Sequence, residues 1–526
     1  LQTPLTVDLG SSHLAVCGSV FSGKSTLLQT LCYGLVRRYP ADWVNLYLLD
    51  FSSHLLSCLE EAPQVGGVMD ESDLDRVGNF FFLLDRILDD RKKQLKGGNY
   101  RQFVRVNGVT MPAIVVVIDN YAAFAEKTEN KYEASILRAA REGVGYGIFL
   151  VLSAAEFGLN GIPNRIAENL KTVLCLGLGD KFKYMELLHV GSVPVLPEPG
   201  TPGRGLAIVD KVPLEFQTAV ALEAPDDYTR GRLLADACRE RRSAWTGAPA
   251  RPVPCIPEMP TFSLLQKAPD YAPLQAGPRW LPVGYDRRSA AVFAVDLAQT
   301  YCYTILGRER TGRTNTLKLL MESAADKGAR LVVYEHQTDN RPGRLQALAD
   351  RLGAEYLDSD PALFAFWQEF TPEFVRRNKR KLALEAEGRT EAELYEAMKS
   401  ERPVCIFLPD LADFFRAVYT PDHGTGNMKG FMETILKKGA LHNIFFFGCL
   451  RVDQYTGLTG RPGFQSYISR VSGILLGGNA AGQRLFSFQN IPFAQLSKPM
   501  PRGTALAASA SDSSQAVTVV LPLAER

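Results

Sequence analysis

The feature that most narrows the choice of fold is an internal repeat. One series of short apolar runs occurs twice, in the same order, at an offset of roughly 250–290 residues. Leu5-Thr-Val-Asp-Leu precedes His13-Leu-Ala-Val-Cys-Gly18 in the first copy, as Phe293-Ala-Val-Asp-Leu precedes Tyr303-Thr-Ile-Leu-Gly307 in the second. Ala113-Ile-Val-Val-Val-Ile-Asp119 is answered by Val404-Cys-Ile-Phe-Leu-Pro-Asp410, and Gly147-Ile-Phe-Leu-Val-Leu-Ser153 by Asn443-Ile-Phe-Phe-Phe-Gly448. Val173-Leu-Cys-Leu-Gly corresponds to Gly473-Ile-Leu-Leu-Gly, and Pro202-Gly-Arg-Gly and Pro501-Arg-Gly close the two copies. Continuous apolar runs bounded by turn signals are the mark of strands buried on both faces. Helical stretches alternate with them, Asp73 to Leu95 among them, so each copy is expected to be an α/β domain with a mostly parallel sheet.

A chain of 526 residues is too long for one core. The domain boundaries expected are 1–224 for the first copy, 225–270 for a linker, and 271–526 for the second copy. The linker contains a connecting helix over Tyr228 to Ala244 and the Pro- and Ala-rich stretch Thr246-Gly-Ala-Pro-Ala-Arg-Pro-Val-Pro-Cys-Ile-Pro. Trp280-Leu-Pro-Val-Gly-Tyr-Asp precedes the second copy and has no counterpart before the first. That asymmetry, and a start at Leu1, are what a fragment cut from a longer chain would show. The net charge of +2 gives no bulk polycationic signal for nucleic acid or an anionic membrane. Nine scattered cysteines without a CxxC pair suit reduced, buried thiols in a cytosolic protein. The apolar runs fall far short of the ~20 residues that span a bilayer, and no signal peptide is expected in a stretch that reaches Asp8 so early.

Gly18-Ser19-Val20-Phe21-Ser22-Gly23-Lys24-Ser25, followed by Thr26, fits G-x-x-x-x-G-K-[ST] between an expected strand and an expected helix. In such a loop the backbone N–H groups and the helix N-terminus face the β-phosphate. Lys24 is expected to reach the β- and γ-phosphates of ATP, and the Ser25 hydroxyl to ligate Mg²⁺. Asp119, at a strand end, is expected to hold Mg²⁺ through water. Asn120 follows, where many RecA-like ATPases place a glutamate that polarises the attacking water; an amide accepts no proton, so slow hydrolysis is expected. Ser153 is either a γ-phosphate sensor or a strand cap. Arg138 and Arg141 either reach a neighbouring subunit's phosphate or line a solvated helix face. Asp50 is assigned no role.

The second loop, Gly307-Arg308-Glu309-Arg310-Thr311-Gly312-Arg313-Thr314, followed by Asn315, keeps the spacing but puts Arg313 in place of the lysine. Arginine is charged and can pair with phosphate, but its planar fork is not a compact ammonium tucked under the β–γ bridge. Thr314 retains a hydroxyl for Mg²⁺. Alignment at Phe124 and Phe414 sets Pro409 opposite Asp119 and Asp410 opposite Asn120. This copy is expected to be catalytically silent, with nucleotide binding left open. Together the two copies read as tandem RecA-like P-loop NTPase domains, each with a central, mostly parallel sheet flanked by helices.

These residues resemble the FtsK/SpoIIIE-type ATPases, and among them the type VII secretion ATPases EssC and EccC. The resemblance rests on Gly18 to Ser25, Tyr47-Leu-Leu-Asp-Phe, Leu84-Asp-Arg-Ile-Leu-Asp-Asp-Arg-Lys-Lys, Gly147-Ile-Phe-Leu-Val-Leu and Pro202-Gly-Arg-Gly-Leu, with Pro372-Glu-Phe-Val-Arg-Arg-Asn-Lys in the second copy. Members of that family carry three modules behind a membrane anchor, and the order of decay here implies the second and third. The resemblance implies ATP and Mg²⁺ as ligands and a place at the cytoplasmic face of the cell membrane within a longer, anchored protein. It also implies three kinds of partner: small secreted helical-hairpin Trp-X-Gly proteins bound through C-terminal signals, the other modules of the same ATPase, and further copies in a homo-hexamer. The function so implied is substrate recognition and regulation of assembly with weak or no hydrolysis. The alternatives are an FtsK-like DNA translocase or conjugation coupling ATPase, which calls for a competent site and a basic pore, and a structural scaffold with residual nucleotide pockets, against which the intact loop at Gly18–Ser25 argues.

Overall fold

The computed structural model describes residues 3–338, 343–420, 428–438, 441–469, 472–508 and 514–525. It divides into two compact units, Leu1–Cys255 and Ile256–Arg526. The first unit holds the strands β1 (Leu14–Cys17), β2 (Val44–Asp50), β3 (Val65–Met69), β4 (Ala113–Asp119), β5 (Ile148–Ala154), β6 (Thr172–Leu176), β7 (Arg204–Val209) and β8 (Val212–Gln217). They form one eight-stranded sheet in the order β3-β2-β4-β5-β1-β6-β7-β8. Every pairing from β3 to β6 is parallel, and β7 and β8 continue antiparallel.

Alternation along the strands sorts their side chains into two cores, one on each sheet face. Ala15, Cys17, Tyr47, Leu49, Val116 and Ile118 join the helix Leu74–Leu95 through Val77, Phe80, Phe81, Leu84 and Leu88. Leu14, Val16, Leu46, Leu48, Val115 and Val117 face the helix Lys24–Arg38 through Leu27, Leu28, Cys32 and Val36. Asp73 caps the Leu74–Leu95 helix by accepting from Arg76 N.

The second unit holds β9 (Trp280–Asp286), β10 (Val292–Asp296), β11 (Cys302–Gly307), β12 (Arg330–Tyr334), β13 (Glu355–Leu357), β14 (Val404–Leu408), β15 (Ile444–Arg451), β16 (Gly473–Leu476), β17 (Thr504–Ala508) and β18 (Ala516–Val520). Its order is β10-β9-β18-β17-β16-β11-β15-β14-β12-β13. Taken from the other edge, its first eight strands repeat the order of the first sheet, with β11 in the place of β1. The repeat is therefore one topology used twice.

The difference between the sheets lies at one edge. Trp280–Asp286 pairs with both β18 and β10, so Phe293-Ala-Val-Asp has a ladder to join. Among the described residues no strand flanks β8, and Leu5-Thr-Val-Asp-Leu, the sequence counterpart of β10, is outside any strand. Backbone groups without a partner strand form no ladder, whatever their side chains prefer.

A buried arginine accounts for one of the matched motifs. Arg91 donates to the carbonyls of Tyr146 and Gly147 (2.7 and 2.9 Å) and of Pro112 (2.5 Å), stitching the starts of β4 and β5. Arg377 does the same in the second unit, donating to His442 (3.0 Å), Asn443 (3.3 Å) and Arg402 (2.9 Å). The stretch 225–270 is docked on both sides of the unit boundary. The helix Asp227–Ala244 buries Leu234 and Cys238 in the first unit, where Ala250 N and Val253 N donate to Pro63 O and Gly66 O. Phe262, Leu265 and Tyr271 are buried in the core of the second unit.

Candidate functional site

The first phosphate loop leaves β1 at Cys17 and is fastened at both neighbouring strand ends. Gly18 N donates to Ala154 O (3.2 Å) and Ser19 N to Gly177 O (3.0 Å). A Cβ on Gly18 would lie 2.5 Å from Ser22 Oγ and 3.0 Å from Leu176 Cβ, so a larger residue would displace the Ser22 side chain. Gly23 carries φ 95° and caps the helix Lys24–Arg38; a Cβ on it would come 2.8 Å from Gly203 N. That same Gly203 N donates to Ser22 O at 2.8 Å. The Pro202-Gly-Arg-Gly turn thus closes on the phosphate loop. The sequence repeat marked the turn, but its contact across 180 positions was not legible from it.

Lys24 Nζ donates to Gly18 O (2.9 Å) and Ser19 O (2.8 Å). Burial pushes its pKa below the ordinary lysine value, and the Asp119 carboxylate works against that shift. Ser22 Oγ is buried and has no hydrogen-bond partner among the described residues, an orphan that a phosphate oxygen would satisfy. Val20 and Phe21 are exposed at the loop tip. Thr26 sits in the first turn of the helix, its carbonyl accepting from Thr30 Oγ1.

Asp119 ends β4, is 1% exposed, and holds two hydroxyls. Ser25 Oγ donates to its Oδ2 (2.5 Å) and Ser153 Oγ to its Oδ1. Burial pushes its pKa above the usual carboxylate range, with the two hydroxyls opposing. Ser153 is engaged twice, since it also accepts from Asn120 N (2.8 Å). Asn120 has φ 60°, a region where asparagine is favoured among non-glycine residues. Its Oδ1 accepts from Ala123 N (3.4 Å), capping the helix Tyr121–Lys127, and its Nδ2 donates to Phe51 O (3.2 Å). Asn120 is thus bonded into the fold on three sides.

Asp50, in register with Asp119, accepts from Ser52 N (3.2 Å) and Leu56 N (3.0 Å) and shapes the turn after β2. Arg138 is tied to Asp85, Asp89 and Glu142 of its own chain, whereas Arg141 is exposed.

The donor set fits a magnesium–phosphate ligand: loop N–H groups at a helix N-terminus, a lysine, an unsatisfied hydroxyl, and a Ser25–Asp119 pair. Among the described residues no group of three His, Cys, Asp or Glu could hold a metal on its own. A cation at Ser25 and Asp119 would therefore share its shell with the phosphates, which is how P-loop sites bind Mg²⁺.

The second loop copies this backbone. Arg310 has φ 60° and Gly312 φ 101°, against 62° at Phe21 and 95° at Gly23. A Cβ on Gly307 would lie 2.5 Å from Thr311 Oγ1, as at Gly18 and Ser22. The side chains around it differ. In the ladders Cys17 lies beside Ala154 and Ile118 beside Leu152, while Leu306 lies beside Leu450 and Leu408 beside Gly448. With Gly18 matched to Gly307, Cys449 takes the place of Ser153 and Pro409 that of Asp119. The two apolar runs, seven and six residues long, do not by themselves assign a partner to Ser153; the ladder does.

Asp410 takes the place of Asn120 and serves the same purpose, accepting from Ala412 N (2.9 Å) and Asp413 N (3.3 Å) as a helix cap. Glu335 repeats Asp50, accepting from Arg344 N (2.9 Å) and Leu345 N (3.0 Å). Arg308, Glu309 and Arg310 are exposed, and Arg313 and Thr314 are half-buried. Asn315 is turned to the chain end, donating to Pro522 O (2.8 Å) and accepting from Ala524 N (2.9 Å).

A doubled sheet of this order, with a phosphate loop at the carboxyl end of the central strand of each copy, defines a tandem P-loop ATPase. The chain carries an FtsK/SpoIIIE domain: the model of the FtsK/SpoIIIE family matches residues 2–170. It is 28% identical to the ESX secretion system protein EccC of Thermomonospora curvata over 355 residues, covering 64% of this chain and 26% of that protein. It is 22% identical to the type VII secretion system protein EssC of Staphylococcus aureus over 339 residues, covering 64% of this chain and 22% of that protein. The chain thus spans about a quarter of the length of the curated relatives it matches.

Among solved structures, ATPases 2 and 3 of EssC from Geobacillus thermodenitrificans superpose with a TM-score of 0.77 at 19% identity, over 98% of this chain and 92% of that one. ATPases 2 and 3 of T. curvata EccC, solved in complex with a signal sequence peptide, give 0.61 at 22% identity, over 99% and 90%. These likenesses establish the fold. Among the described residues no helix is long and apolar enough to cross a membrane.

Proposed function

We propose that this chain is the ATP-holding, substrate-recognising part of a type VII secretion ATPase and that it regulates assembly without rapid hydrolysis. One observation carries the reading. Asp119, Ser25 and Ser153 form a connected set beside an intact phosphate loop, while the residue next to Asp119 is an amide committed to backbone bonds. A site of this kind can hold a nucleotide and Mg²⁺ and lacks the group that activates water. When bound, the metal supplies charge neutralisation at the phosphates. The protein residues do the rest: the loop N–H groups and Lys24 fix the phosphates, Ser25 and Asp119 orient the cation, and Ser153 orients Asp119.

Recognition of a secreted protein's C-terminal signal is supported by the T. curvata relative's complex with a signal sequence peptide. Location at the cytoplasmic face of the membrane and assembly with further modules or copies belong to the same proposal, supported by the likeness to secretion-system proteins. The test is titration of a labelled C-terminal peptide of a small secreted helical-hairpin protein, with a scrambled peptide and duplex DNA as controls. Saturable binding of the native peptide alone is expected. Salt-sensitive DNA binding without a peptide response would favour the translocase.

A further inference from the structure

The second phosphate loop keeps a hydroxyl at Thr314 but has lost the counterparts of Asp119 and Ser153, and it has gained arginines. Pro409 stands where Asp119 holds Ser25, and Cys449 where Ser153 orients that carboxylate. Among the described residues no hydrogen bond joins Thr314 to a carboxylate. Yet the loop backbone is kept at both positive-φ positions, Gly307 is still crowded by Thr311 Oγ1, and the fourteen-residue helix Arg313–Asp326 still starts at Gly312. A loop relieved of all ligand binding has no reason to keep an arginine half-buried at its helix start and two more at its tip.

Charge gives the substitution its sense. The first loop carries one cation, Lys24, and relies on a divalent ion for the rest. The second carries Arg308, Arg310 and Arg313 against one carboxylate in the loop, Glu309, with Asp410 within electrostatic reach of Arg313. No ion pair or hydrogen bond engages these three guanidinium groups among the described residues, while the nearby Arg344 and Arg451 are held by Glu335 and Asp453. Room is available as well: a Cβ on Gly312 meets no atom within 4 Å, where Gly23 is pressed against Gly203. A planar guanidinium with several donors can take two phosphate oxygens at once, which a metal bridge would otherwise neutralise.

We propose that the second loop is a metal-independent polyphosphate site, in which Arg313, Arg308 and Arg310 supply the charge that Mg²⁺ supplies in the first. This deepens the reading of the chain as a nucleotide-holding module and concerns a different loop from the one that reading rests on. The shared chemistry is an uncomplexed triphosphate, borne by ATP or by inorganic triphosphate.

The test uses the full chain with Lys24→Ala to silence the first loop, and equilibrium dialysis with labelled ATP, with Mg²⁺ or with EDTA. Binding should persist in EDTA and fall roughly tenfold or more with Arg313→Ala, the weight of a charge-assisted hydrogen bond. The double variant Arg308→Ala/Arg310→Ala should weaken binding with an unchanged circular dichroism spectrum, because both residues are exposed. Inorganic triphosphate should compete: equal competition assigns the whole affinity to the phosphates, and weaker competition adds a contribution from the base. No binding in the Lys24→Ala chain, binding abolished by EDTA, or binding indifferent to all three arginines would each overturn the proposal. The first loop is checked apart from this, by Mg²⁺-dependent binding in the Arg313→Ala chain that Lys24→Ala removes.

Discussion

Asn120 looks from the sequence like a degraded catalytic glutamate, and in the fold it is also a helix cap held at φ 60°. Both descriptions concern one residue, and they separate experimentally. Replacing Asn120 with Ala removes the cap in a left-handed conformation and should cost about 1–2 kcal/mol in denaturant unfolding, while ATP turnover, proposed to be slow in the native chain, should be unchanged. His13 gives a second residue-scale expectation. It is 1% exposed at the start of β1; Leu150 N donates to its Nδ1 (2.9 Å), which leaves the proton on Nε2 facing Ala140 O (3.0 Å). Burial pushes its pKa from the ordinary 6.5 down to about 4. The unfolded chain therefore takes up the proton before the folded one does. Stability of the first unit should be unaffected by this group above pH 6.5 and fall by about 3 kcal/mol between there and pH 4. Denaturant midpoints across that range should show the slope in the native chain and a shallower one in a His13→Gln chain.

At the scale of elements, the matched arginines explain why two sequence motifs far apart look alike. Arg91 and Arg377 each satisfy carbonyls at the starts of two neighbouring strands. Arg91→Ala should leave the Tyr146 and Pro112 carbonyls without their donor, Gly147 O keeping the bond from Ile114 N, and cost about 2 kcal/mol or more, read as a lowered unfolding midpoint; a loss under 1 kcal/mol would show that water replaces the guanidinium. Strand identity and the place of each phosphate loop were legible because apolar runs buried on both faces need no partner knowledge to recognise. The match of Pro409 to Asp119 was legible too, since the aromatic at Phe124 and Phe414 follows at fixed distance. Three features were not. The edge hairpin of β9 and β10 depends on a neighbour strand that only one copy has. The closure of Gly203 on Gly23 joins residues remote in the chain. The replacement of Ser153 by Cys449 follows from ladder register, which a run of four phenylalanine and isoleucine residues does not fix.

For the molecule as a whole, the two units keep one architecture and divide its chemistry. On the proposed reading, the first retains the loop, lysine, serine and aspartate that would hold a nucleotide with its metal; the second retains the loop and the Thr314 hydroxyl, has Pro409 in place of the aspartate, and carries arginines. A fold that preserves binding groups and gives up the water-activating one is suited to being stabilised by its ligand. Binding to the native state alone contributes RT ln(1 + [L]/Kd), about 2.7 kcal/mol at a hundredfold excess over Kd. The most direct test of this account incubates the purified chain with γ-labelled ATP and Mg²⁺ and follows released phosphate and the thermal midpoint in one sample. The account predicts that the midpoint of the first unit rises while the nucleotide is recovered as ATP. Repeated turnover that disappears with Asp119→Ala would contradict it.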